Sequence, residues 1–243
     1  MNLLSTNTVA EIVSDNYKTA EVFKRHGIDF CCGGKKTVSV VCAEKNINET
    51  LLQRELEIAE QLPADPQHDY KNWSLSFLAD YLINVHHAYI NNNLSLISEF
   101  ANKVAKVHGH HNTETVDIAK LWQLLSDELT SHMKKEELVL FPYIRSLEKY
   151  TKKKIDQIPS PHFGKIENPI QIMEAEHDLA GSIMHQIRNL SNNFTPPDYA
   201  CNTYKVLYAK LNEFENDLHE HVHIENNILF PKAIILARQI QDL

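Results

Sequence analysis

The chain has 243 residues, 43% hydrophobic and 23% charged, with a formal net charge of −8. That length supports one or two domains with a buried core, and the negative balance argues against a sequence-independent grip on nucleic acid. Gly is scarce at 6 residues, and helix formers run throughout, so the composition points to an all-α fold. Histidine is the anomaly, at 14 residues. It is the commonest metal ligand and carries protons at physiological pH.

In chain order, TVAEIVSDN and YKTAEVFKRHG carry apolar residues at helical spacing, and Gly27 is placed to stop the second helix. CCGGKKT reads as a loop, and TVSVVCAEKNI and ETLLQRELEIAEQL as two more helices. These make a small helical N-terminal domain, 1–62. The polar, proline-containing stretch 63–73 reads as a linker. Ser74 then caps a long helix that ends at HGHHN (108–112), and a second runs to Phe141-Pro142. A basic, Pro- and Gly-containing crossover fills 150–167. The third helix covers about 168–192 and the fourth about 198–230, where Pro231 ends or kinks it. Four long helices over 74–243 suggest a four-helix bundle.

The N-terminus has no basic leader and no stretch reaches the ~18 apolar residues of a membrane span. Four cysteines, Cys31, Cys32, Cys42 and Cys201, show no repeated spacing, which argues against a disulfide scaffold. We expect a cytoplasmic protein with no membrane partner.

An internal repeat carries the chemistry. His132-x-x-x-Glu136-x-x-x-Leu140-Phe141-Pro142 recurs as His221-x-x-x-Glu225-x-x-x-Leu229-Phe230-Pro231, at a constant offset of 89 residues. His86 precedes the first copy and His177 the second, by 46 and 44 residues. Positions i and i+4 share a helix face, so each copy aims an imidazole and a carboxylate at the bundle axis. With His86 and His177 the set is four imidazoles and two carboxylates. That exceeds one zinc ion and suits two metals bridged by the glutamates, a non-haem iron setting. A rival motif, His219-Glu220-x-x-His223, fits a zinc-protease pattern. Its repeat partners at 130 and 134 are Thr and Lys, which do not substitute as ligands, so we expect the repeat to hold the metal.

These motifs, together with FKRHGIDFCCGGKKT (23–37), IMEAEHDLAG and NNFTPPDYACNTY, resemble the iron–sulfur cluster repair di-iron proteins of the RIC or ScdA type. The resemblance covers nearly the whole chain and implies a hemerythrin-like bundle behind a small N-terminal module. It implies five terminal histidines, His86, His108, His132, His177 and His221, with Glu136 and Glu225 bridging two oxo- or hydroxo-bridged non-haem irons. His108 is selected by the resemblance alone, and His87 is a local competitor of His86. The implied function is repair of clusters damaged by nitric oxide or oxidants, with iron–sulfur proteins as recipients. Reduction of nitric oxide at the di-iron site is the enzymatic alternative, and simple oxygen or iron binding a third.

Cys31 and Cys32 are adjacent, so a disulfide between them needs strained geometry, and both do not easily grip one metal. Gly33-Gly34 leave the thiols accessible, and Lys35 and Lys36 favour thiolates. With the family signature this suggests redox transfer or contact with an iron-bearing partner. Cys42 is expected in the core. The small core of the N-terminal module suggests a homodimer.

Overall fold

The computed structural model describes residues 6–61, 68–158 and 161–241. Part of the expected linker, 63–67, lies outside them. Among the described residues the chain is all-helical, with a single isolated antiparallel bridge, Thr8 to Thr37. It divides into two compact units, residues 1–78 with 220–243, and residues 79–219.

The first unit begins with α1 (Val9–Asp15), set by a reciprocal cap. Thr8 Oγ1 accepts from the Glu11 amide, and the Glu11 carboxylate accepts from the Thr8 amide. α2 (Thr19–Arg25) stops where expected, at Gly27 with φ +63°. There the Ile28 amide turns back to the Phe23 carbonyl at 2.9 Å. α3 (Val38–Lys45) buries Cys42 with Val38 and Val41, and Asn48 caps α4 (Glu49–Glu60). Ser74 caps α5 (Leu75–Tyr81) through the Phe77 amide.

The second unit is the bundle. α6 (Ala88–His108) packs on α7 (Glu114–Lys135), and α7 on α9 (Glu167–Leu190). α10 (Asn202–Ile224) joins through Phe214, set edge-on against Trp122, and through Glu215, which takes a two-pronged ion pair from Arg188. Buried Ile90, Ile97, Trp122, Leu125, Ile183, Leu211 and Phe214 form the core.

One expectation changes. The second bundle helix does not end at Phe141-Pro142, and at Pro231, the expected place of an end or a kink, the fourth also continues. α8 (Phe141–Thr151) and α11 (Phe230–Gln241) continue the second and fourth bundle helices through Pro142 and Pro231. Each proline follows a π-turn, Glu136–Leu140 or Glu225–Leu229, in which the Phe amide bonds a carbonyl five residues back. The wider turn accommodates a residue that has no N–H and whose ring would clash with a normal i−4 carbonyl. Residues 220–243 group with 1–78 in the first unit. Within that first unit, Asn227 donates to the Phe30 and Cys31 carbonyls, and Lys232 to those of Lys71 and Trp73.

Candidate metal centre

A third π-turn, Leu82–His87, opens α6, so among the described residues all three π-turns fall on histidine or glutamate positions. Such turns re-aim side chains and recur at functional sites. In the bundle unit, ligand atoms of His132, Glu136 and His177 all lie within 4.8 Å of one another. His132 Nε2 is 3.3 Å from Glu136 Oε2 and 3.0 Å from His177 Nε2. All three side chains are buried.

His87, rather than His86, stands at Glu136. Its Nε2 is 3.4 Å from Glu136 Oε2. His86 is also buried, but its Nδ1 pairs with Asp217 at 3.0 Å. Both rings lie in the π-turn, where adjacent residues point about 100° apart around the helix axis, so the two face different neighbours. His108 does not join the others either. It sits at the opposite end of α6 from His87, about 30 Å along a helix of that length. There its Nε2 is 3.3 Å from Cys201 Sγ and its ring tilts against Tyr204.

Outer carboxylates fix the imidazoles. Glu176 Oε2 meets His132 Nδ1 at 2.8 Å, and Glu137 Oε1 meets His87 Nδ1 at 2.8 Å. An ionised carboxylate only accepts, so each Nδ1 carries a proton and each Nε2 turns towards Glu136. Two such Nε2 atoms and the Nε2 of His177 gather at one buried carboxylate. This donor set fits a divalent metal of the imidazole–carboxylate class, iron included. The His132 hydrogen bond, reinforced by Lys135, brings the Glu176 carboxyl down to about 2, so it stays ionised.

In the first unit, His221 Nε2 and Glu225 Oε1 lie 3.1 Å apart, both fully buried, as the i, i+4 spacing predicts. The zinc-protease alternative meets competing contacts there. The Glu220 carboxylate accepts from the Tyr70 hydroxyl. His223 is buried between Tyr17 and Phe30 with its Nδ1 on Asn227 at 3.1 Å, and burial lowers its pKa to about 4.

The cysteine loop is tightly organised. The Asp29 carboxylate accepts the backbone amides of Cys31, Cys32 and Gly33 at 2.9–3.1 Å. Gly34 seats the loop on α1, where a Cβ would lie 2.9 Å from that of Ala10. Cys31 is buried and Cys32 half-buried. The expected thiolate character does not hold for Cys31. Its hydrogen bond to Cys32, burial and the Asp29 charge all raise its pKa well above that of an ordinary thiol. Lys36 is engaged by Glu44 at 2.7 Å. The outer acids Glu137, Glu176 and Asp217 are not picked out by the sequence spacing, and His87 enters it only as a competitor of His86. For Glu176 the available signal is its place directly before His177.

No described helix is long and apolar enough to cross a membrane. Residues 78–233 match the family model Hemerythrin, described as the hemerythrin HHE cation binding domain. Residues 5–60 match ScdA_N, a domain of unknown function (DUF542). The chain is 35% identical over 217 residues to the iron–sulfur cluster repair protein YtfE of Yersinia pestis (strain Pestoides F), covering 89% of this chain and 91% of that protein. The same figures hold for the protein of that name from Yersinia pseudotuberculosis serotype IB (strain PB1/+). With both domains and this coverage, the chain belongs to the hemerythrin-like iron–sulfur cluster repair protein family.

Proposed function

We propose that this protein repairs iron–sulfur clusters damaged by nitric oxide or oxidants in the cytoplasm, using a non-haem di-iron centre. The observation that carries the reading is the buried Glu136 carboxylate, towards which the carboxylate-held imidazoles of His87 and His132 turn. Family membership and the 89-residue repeat support it from independent directions.

The proposed ligands are His87, His132, His177 and His221 as terminal imidazoles, with Glu136 and Glu225 as bridges. This set replaces His86 by His87 and omits His108. When bound, the irons supply a labile, redox-active metal pair. The residues of the chain do the rest. Glu176 and Glu137 keep the Nδ1 protons and orient the rings of His132 and His87. Glu136 and Glu225 are carboxylates that counter the charge of the metal pair, and burial limits water at the site. Iron–sulfur proteins are the recipients in this reading, and iron donation is the step that links centre and recipient.

The test is reactivation of an iron–sulfur enzyme previously inactivated by nitric oxide, with iron content of the repair protein measured before and after. Recovery that tracks loss of iron from the repair protein supports donation. Turnover of nitric oxide with an electron donor, without iron loss, supports the enzymatic alternative. Absence of iron in the isolated protein overturns both.

A further inference from the structure

Among the described residues outside the bundle, one cluster of metal-ligating side chains has no place in the di-iron reading. It lies entirely within the loop Asp29–Gly33. In an extended chain adjacent side chains point to opposite faces, but Cys32 takes a helical-turn conformation (φ −81°, ψ −43°). The two sulfur atoms consequently come within 4.0 Å, and Cys31 Sγ lies 3.1 Å from Asp29 Oδ1. One ligand atom from each of the three residues lies within 4.8 Å of the others. The sulfurs are too far apart for a disulfide, whose bond is about 2.05 Å. They are close to the separation of about 3.8 Å that two thiolates adopt on one tetrahedral ion with metal–sulfur bonds of about 2.3 Å.

We propose that Asp29, Cys31 and Cys32 form a second metal site that binds one borderline-soft divalent cation, of the zinc or ferrous class, through two sulfurs and one carboxylate oxygen. Two thiolates select such an ion over magnesium or calcium. Binding is an acid–base exchange with no redox step. Two metal–sulfur bonds form, and protons held by the thiols pass to solvent.

The loop is built to hold this geometry before any metal arrives. The three amides on Asp29 fix its carboxylate, and Asn227 holds the Phe30 and Cys31 carbonyls from the other side. The contact of Gly34 with Ala10 leaves no room for a side chain that would lift the loop. Three protein donors leave a fourth position, and half-buried Cys32 and exposed Asp29 put it where an incoming thiol or sulfide can exchange. An open site of this kind suits a metal in transit more than a structural ion. That use rests on the repair reading, whereas the metal site itself does not.

The experiment is titration of the full-length protein with cobalt(II) under reducing conditions, followed by the thiolate-to-cobalt charge-transfer absorption. Imidazole and carboxylate ligands in the bundle give no such band, so bundle occupancy does not interfere. We expect a band that saturates at about one equivalent and bleaches when zinc is added. It should survive the double variant Cys42→Ser, Cys201→Ser. Cys32→Ser should abolish it, and Asp29→Asn should weaken cobalt affinity at least about tenfold. Half-buried Cys32 makes the serine variant structurally mild, and unchanged bundle iron checks that it is folded. A band that persists in Cys32→Ser, or no band in the unmodified chain, overturns the site. Failure of the di-iron reading would appear separately, as an iron-free bundle.

Discussion

His87 meets Glu136 through Nε2 and Oε2 at 3.4 Å, while its neighbour His86 turns to Asp217 at 3.0 Å. Two adjacent imidazoles, both buried, are thereby given different work. One faces the carboxylate at the centre of the ligand cluster and the other ties α6 to α10.

This assignment predicts opposite outcomes for two neighbouring substitutions. His87→Ala should lower iron per chain and weaken the absorption of the oxidised centre. His86→Ala should leave iron content near that of the parent and cost stability instead, about 1–3 kcal/mol from the stranded Asp217 partner and the lost packing. Elemental analysis with denaturant unfolding separates the two. Iron loss confined to His86→Ala would reverse the assignment.

Glu225 and His219 test the two readings of one helix. If Glu225 bridges the metals as proposed, Glu225→Ala should deplete bound iron. His219→Ala should leave iron unchanged. If His219→Ala loses metal while Glu225→Ala keeps it, the repeat argument fails and the zinc-protease spacing returns.

Glu176 orients His132 without being a ligand in the proposed set. Glu176→Gln keeps the shape and removes the charge, so metal affinity should fall by about 10–100-fold with the fold retained. Competition against a chelator of known affinity reads this directly. An unchanged affinity would show that ring packing alone positions His132.

The buried His223 ring makes acid stability predictable in sign. Its pKa is lowered to about 4 from an ordinary value of 6.5 by desolvation. Between those values the unfolded chain binds the proton and the folded chain does not, so stability falls as pH drops through that window. Below about 4 the penalty is complete. Equilibrium unfolding at a series of pH values should show a slope that flattens in His223→Gln. An equal slope in both proteins would assign the acid sensitivity elsewhere.

Gly34→Ala places a Cβ 2.9 Å from the Ala10 Cβ. Overpacking of this kind should cost about 1–3 kcal/mol and displace the cysteine loop. Adding Ala10→Gly should recover much of the loss, read from thermal unfolding of the single and double variants. No recovery would mean that the glycine serves backbone freedom rather than space.

Much of this protein was legible in its residues. Helical spacing and scarce glycine gave an all-α chain. Gly27, Ser74 and the HGHHN break marked helix ends, because capping and left-handed turns are local and depend on few residues. The His-x-x-x-Glu repeat picked out His132, Glu136, His221 and Glu225, because i, i+4 neighbours share a face whatever surrounds them. Tertiary structure decided what depends on departures from a regular helix or on distant partners. Distant partners, Asp217 for His86 and Glu136 for His87, told the two adjacent histidines apart, and the π-turn before Pro142 carried that helix past its expected end. His108 was left beside Cys201 because a straight 21-residue helix carries it away from His87. The Cys31 thiol is pushed up by its hydrogen bond to Cys32, by burial and by the Asp29 charge. A periodic pattern records which residues share a face. It does not record an inserted residue within a turn, nor which charge a folded chain brings to a buried group.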